Sequence, residues 1–272
     1  MSVCYRIDCP AVHRDRLLGE LDSSACLGVQ EEDAEMVVYF SEPVDSAWIS
    51  QLEQTIPEAT MSGPDAVLDQ DWSRSWRVGL EPRRIGAVWV RPSWTSSQGQ
   101  PEIVIDPGQA FGTGEHATTQ LCLELLQEEL IPGDRVLDVG SGSGILALGA
   151  LRAGARWTCG FDLDPVASPE ALRNARVNRL AAAFFTGPLD ALAPAAAFDV
   201  VTINMISSRL LPLIEPCASR SQRGLVVSGY LEPESERIQR SVAATGFALT
   251  EECFREHSGD SWGASLWQCA RG

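Results

Sequence analysis

Val136-Leu137-Asp138-Val139-Gly140-Ser141-Gly142-Ser143-Gly144 is the stretch on which the fold turns. An apolar run that reads as a buried strand breaks into a loop with glycine at every second position, and a helical pattern follows from Ile145 to Ala153. Glycine lets the backbone come close to a ligand where a helix opens and its first N–H groups point outward. Dinucleotides and S-adenosylmethionine both use such a turn. The dinucleotide fingerprint G-x-G-x-x-G is not met, because the last glycine comes one position too early. Asp138 precedes the first glycine by two residues; a carboxylate there opposes a pyrophosphate but suits a ligand with an ammonium and a sulfonium. Asp162 ends the next predicted strand, where a carboxylate holds a ribose diol.

The same rhythm extends outward. Strands are predicted at Arg135–Val139, Arg156–Asp162, Ala183–Thr186, Phe198–Ile203 and Gly224–Ser228. Helices are predicted at Thr118–Leu130, Ile145–Ala153, Val166–Arg179, Arg209–Ser219 and Glu232–Thr245. This alternation predicts an α/β protein, a parallel sheet with helices on both faces. Phe247–Phe254 and Ala264–Cys269 read as a closing antiparallel hairpin. At the other end, Val3, Tyr5 and Ile7 alternate with polar residues, followed by a helix at Val12–Leu21, strands at Cys26–Gln30 and Met36–Phe40, and a helix at Asp45–Gln54. This βαββα order suits a small α+β domain of ferredoxin-like type. The expected division is residues 1–62, a linker and strand extension at 63–100, and a ligand-binding domain at 101–272. Four of the eight tryptophans, Trp72, Trp76, Trp89 and Trp94, fall in the middle segment, as packing mass where elements join.

Charge narrows the chemistry. The 272 residues carry 21 basic and 37 acidic side chains, a net of -16, and every basic one is arginine. Without lysine there is neither Schiff-base catalysis nor a phosphate-gripping P-loop, although Gly108–Gly114 has a P-loop's glycine content. No serine sits in G-x-S-x-G. The eight cysteines form no C-x-x-C and the three histidines are far apart, so no metal site and no disulfide framework is expected. The first residues lack a basic-then-apolar leader pattern and no apolar run approaches ~18 residues, so a cytoplasmic location without membrane attachment is expected. An acidic surface repels nucleic acid and attracts basic partners.

Asp106-Pro107-Gly108-Gln109-Ala110-Phe111-Gly112-Thr113-Gly114-Glu115-His116-Ala117-Thr118-Thr119 resembles the signature of the bacterial ribosomal protein L11 methyltransferases. The resemblance continues through the Gly140 loop, Asp162-Leu163-Asp164-Pro165 and Asn204, and backward to Trp72, Trp76 and Pro92-Ser93-Trp94, covering about residues 70–230. It implies a class I methyltransferase, with a Rossmann-like seven-stranded sheet and a small N-terminal substrate-recognition domain. The implied reaction uses S-adenosylmethionine to methylate lysine side-chain and N-terminal amines of one large-subunit ribosomal protein. Carried over by position, cofactor contacts fall at Thr119, Gly140, Asp162 and Asn204. Together with the loop reading the candidate cofactor set is Thr119, Asp138, Gly140, Gly142, Asp162 and Asn204, with Asn204 also the catalytic candidate that orients the amine. For Thr119 the helix N-cap is an equal alternative. For His116 both closure over the cofactor and a loop-holding hydrogen bond stay open. Met205-Ile206 replaces the family's usual Ile-Leu and Gly229-Tyr230 its Gly-Ile, while Glu115 and Ala117 are unusual in the loop. These departures flank the expected methyl-transfer centre.

Two rivals remain at this stage. Methylation of a nucleic-acid amine usually follows N-P-P-aromatic, whereas Asn204-Met205-Ile206-Ser207 offers no ring for a flipped base. A non-catalytic, cofactor-binding partner of the ribosome is the other.

Overall fold

The computed structural model describes residues 3–10, 17, 26–31, 35–40, 42–66, 80–108 and 110–270. The helix expected at Val12–Leu21 lies, apart from Leu17, outside the described residues, as do Trp72 and Trp76. The chain divides into two compact units, Met1–Gly79 and Leu80–Gly272.

The first unit holds strands β1 (Val3–Asp8), β2 (Cys26–Glu31) and β3 (Glu35–Phe40), helix α1 (Ser46–Thr55) and strand β4 (Thr60–Ala66). Its sheet is antiparallel in the order β2-β3-β1-β4. Alternation puts Val3, Tyr5 and Ile7 of β1 on the buried face with Val38 and Phe40, and Leu52 and Ile56 join them. Asp45 caps α1 by accepting from the Trp48 N–H at 2.7 Å. β4 was not expected, and it runs across the division placed at residue 62. Its sequence, Thr-Met-Ser-Gly-Pro-Asp-Ala, has no apolar alternation. Proline is tolerated there because β4 is an edge strand.

The second unit begins with a three-stranded sheet of β5 (Arg83–Ile85), β6 (Val88–Arg91) and β7 (Glu102–Val104). Then follow α2 (Ala117–Glu129), β8 (Arg135–Val139), α3 (Ile145–Ala153), β9 (Trp157–Asp162), α4 (Ala167–Asn178), β10 (Ala182–Thr186) and β11 (Phe198–Asn204). Short helices α5 (Ser207–Leu210) and α6 (Ile214–Ala218) lead to β12 (Ser221–Leu231), α7 (Ser235–Ala243), β13 (Phe247–His257) and β14 (Asp260–Cys269). The large sheet has the order β10-β9-β8-β11-β12-β14-β13. It is parallel from β10 to β12, while β14 runs antiparallel to both its neighbours. This is the seven-stranded sheet with a closing hairpin that the sequence implied.

Strand side chains alternate between two cores. Val136, Val200 and Val226 pack with α2 and α3 on one face, while Leu137, Val139, Val201 and Ile203 pack with α6 and α7 on the other. That is why these strands read as continuous apolar runs. Chain order reverses between β8 and β11, which opens a crevice at their C-terminal ends. No described helix is long and apolar enough to cross a membrane.

Candidate functional site

A cavity of about 260 Å³ lies at that reversal. Gly140, Gly142, Asp162 and Asn204 all line it, and Phe111, Thr118, Asp164, Met205, Arg209 and Gly229 are among the other residues of its wall. Residues far apart in the chain converge because each ends a strand or opens a helix at the same edge of the sheet.

The glycine loop is held by its neighbours. Gly140 and Ser141 donate to the Phe161 carbonyl, both at 2.9 Å, and Gly142 N–H donates to Asp162 Oδ2 at 3.0 Å. The other Asp162 oxygen accepts from Asp164 N–H at 3.0 Å. Two backbone donors thus fix the carboxylate and leave further lone pairs for a ligand. Gly142 has φ +50°, and a Cβ there would meet the Phe111 carbonyl oxygen at 2.4 Å. Against that carbonyl lies the signature loop: Ser143 N–H donates to Phe111 O at 2.9 Å and Ser143 Oγ to Gly112 O at 2.5 Å. A Cβ on Gly108 would collide with the Glu170 carboxylate, and one on Gly112 would reach Ser143 Oγ at 3.0 Å. The long signature therefore braces the glycine loop backbone to backbone.

Two expected cofactor residues stand one layer back. Asp138 is fully buried and does not line the cavity. It sits on β8 between Gly160 of β9 and Thr202 of β11, with Oδ2 accepting from Ala147 N–H at 3.1 Å near the start of α3. Its Oδ1 has no hydrogen-bond partner. Burial, opposed by the Ala147 hydrogen bond and reinforced by the charge of Asp162, pushes its carboxyl up to about 7. Asp138, expected as a cofactor contact, thus lies beneath the loop with its side chain bonded to the start of α3. Thr119 is likewise buried; its Oγ1 accepts from Asn204 Nδ2 at 3.4 Å. It is not the N-cap of α2 either. His116 holds that position, its side chain accepting from Thr118 N–H.

Thr118 and Met205 line the cavity but were not in the candidate set, although Met205 was among the departures flanking the expected centre. Thr118 is the neighbour that faces the cavity, a choice that only the rotation of α2 decides. Met205 donates its N–H to Ser228 O at 3.1 Å and lays its side chain against Gly140, while Gly229 at φ +96° leaves room for its backbone.

The residues present fit S-adenosylmethionine. The glycines form a cradle that any Cβ would fill, a fixed carboxylate ends β9, and an orphan carboxylate oxygen lies beneath the loop. Among the described residues no cluster of His, Cys, Asp and Glu is arranged to hold a metal ion, and all eight cysteines are free thiols.

Residues 10–262 match the family model described as ribosomal protein L11 methyltransferase (PrmA). The chain belongs to this family. The ribosomal protein L11 methyltransferase of Geobacter sulfurreducens is 38% identical over 246 residues, which span 84% of this chain and 81% of that protein. That of Thermus thermophilus is 32% identical over 252 residues, 91% of this chain and 94% of that protein. The crystal structure of ribosomal protein L11 methylase from Lactobacillus delbrueckii subsp. bulgaricus matches with a TM-score of 0.61 at 26% identity, over 68% of this chain and 97% of that one. Family membership makes this chain a methyltransferase of class I architecture, as the resemblance implied.

Proposed function

We propose that this protein transfers methyl groups from S-adenosylmethionine to lysine side-chain or N-terminal amines of ribosomal protein L11. The observation that carries this reading is the convergence of Gly140, Gly142, Asp162 and Asn204 on one cavity at the sheet's reversal point. Gly140 and Asp162 are singled out by both the loop chemistry and the family signature, Gly142 by the first and Asn204 by the second.

When bound, the cofactor supplies a methyl group on a sulfonium and a thioether leaving group. The chain's own work is alignment and exclusion of water. Gly140 and Gly142 bring backbone against the donor, and Asp162 takes the ribose hydroxyls. Asn204 lines the cavity and its Nδ2 donates to Thr119, which leaves the amide oxygen to act as the acceptor for the incoming amine. Asp138 and Thr119 support these groups from behind. We assign capture of the protein substrate to the first unit. A net charge of -16 favours a basic substrate and disfavours a phosphate backbone.

The test is incubation with radiolabelled cofactor and either purified L11 or a ribosome-free extract. Label in L11 supports the proposal; label in RNA, or cofactor binding without transfer, overturns it. The chain has no lysine, so lysine self-methylation cannot contribute a background band.

A further inference from the structure

We propose that Thr118 and His116 form the proton exit from the acceptor amine, Thr118 Oγ1 taking the proton inside the cavity and handing its own to His116 Nδ1. The proposal rests on the methyl-transfer reading above. A lysine amine arrives as an ammonium and has no lone pair until it loses a proton.

Thr118 lines the cavity, and its Oγ1 lies 2.9 Å from His116 Nδ1. The tautomer follows from the helix cap. Nδ1 accepts from Thr118 N–H at 3.3 Å, which selects the tautomer with the proton on Nε2; in that tautomer the Thr118 hydroxyl donates to Nδ1 and shares its lone pair with the N–H. The lone pairs of Oγ1 are then free to accept from an ammonium, alongside the Asn204 amide oxygen. The imidazole leads away from the cavity. Its ring is 4.5 Å from His257 at the half-buried end of β13, 4.8 Å from Trp262 of β14 and 5.6 Å from Phe111.

The charged groups around it do not trap the proton. Glu115, the preceding residue, is paired with Arg83 at 2.7 Å, and Arg255 of β13 with Glu124 of α2 at 2.9 Å. Asp260 stands opposite His257 in the hairpin register and is exposed, as is Glu256. Burial first, and His257 second, hold the His116 imidazole below its ordinary value. Both effects disfavour the imidazolium, so the ring holds a proton only weakly and passes it on to water.

The step balances. An ammonium N–H bond breaks and its proton goes to Thr118 Oγ1 as the hydroxyl proton moves to Nδ1. The imidazolium then releases one proton to water, and exchange with solvent returns the ring to the Nε2–H tautomer from which the next cycle starts. The freed nitrogen lone pair forms the N–C bond while the S–C bond breaks, its electron pair staying on sulfur. The methylated nitrogen is again a cation and sheds one proton by the same path. Thr118 is thus a catalytic residue, and His116 acts through it.

The experiment compares wild type with His116→Asn, Thr118→Val and the double variant. Asparagine keeps an acceptor for the helix cap but takes no proton at neutral pH. Cofactor binding is measured by calorimetry, and kcat and KM for L11 methylation are measured from pH 6 to 9.5. Each single variant is expected to lose kcat by about 100-fold, the scale of a general base, with KM and cofactor affinity little changed. Its log rate should rise with pH towards the amine's own range, while the wild type levels off earlier. The double variant should lose no more than either single one. The proposal is overturned if either folded variant keeps kcat within about threefold of wild type with the same pH profile, or if the two losses multiply. Should His116→Asn fail to fold, the kcat and pH profile of Thr118→Val decide alone. Absence of transfer by the wild type would instead refute the methyl-transfer reading.

Discussion

Replacing Asp138 by asparagine should flatten the dependence of stability on pH. The buried carboxyl has an ordinary value of 3.8 and stands at about 7 in the folded chain. Its folded value is raised, so its contribution to stability is fully present below the unfolded value and is lost as pH rises through about 7. The shift corresponds to roughly 4 kcal/mol of stability lost above pH 7, by linkage at about 1.4 kcal/mol per unit. Integrated over the range where the protein is handled, the penalty grows by about 2 to 3 kcal/mol between pH 5 and pH 8. Asparagine keeps an oxygen for the Ala147 N–H and never ionises. Its amide nitrogen takes the place of the orphan Oδ1, a mismatch costing about 1–3 kcal/mol at every pH. The assay is urea unfolding of cofactor-free wild type and Asp138→Asn at half-unit steps from pH 5 to 8.5. The readout is the difference between the two curves, which cancels titrations that the proteins share, His116 included. Relative to the variant, the wild type should weaken as pH rises. Parallel curves would refute the assignment of a protonated, desolvated carboxyl beneath the glycine loop.

Other outcomes are equally specific. Gly142→Ala forces a Cβ onto the Phe111 carbonyl and should cost more stability and more cofactor affinity than Gly140→Ala, whose Cβ meets the flexible Met205 side chain rather than backbone; paired melting curves and calorimetry check the order. Asp162→Asn should weaken cofactor binding at least tenfold, about 1.4 kcal/mol, by titration calorimetry, because an amide cannot accept with both atoms. Arg223 of β12 joins Glu129 of α2 and Asp134, both nearly buried, so Arg223→Met leaves two uncompensated carboxylates and should cost about 3–5 kcal/mol in urea unfolding.

The seven-stranded sheet was legible because its strands are buried on both faces and read as apolar runs between helical periods, and because β13 and β14 lack a helix between them. β4 was not, since an edge strand needs no apolar alternation and its Gly-Pro pair reads as a turn. Gly140, Gly142 and Asp162 were legible as candidates because a loop's glycine spacing and a strand's last residue are local properties of the chain, whereas Asn204 came from the family resemblance.

By itself the sequence determined the class of fold, the positions where strands stop, and the charge that any ligand of those positions should carry. Which side chain faces the cavity was decided only by tertiary structure. One step of rotation along α2 puts Thr118 on the wall and Thr119 behind it. The strand pleat, covered by α3, hides Asp138, and the β13–β14 turn brings His257 and Trp262 beside His116. The physical reason is that direction depends on packing between elements distant in the chain, and no local pattern of residues encodes that direction.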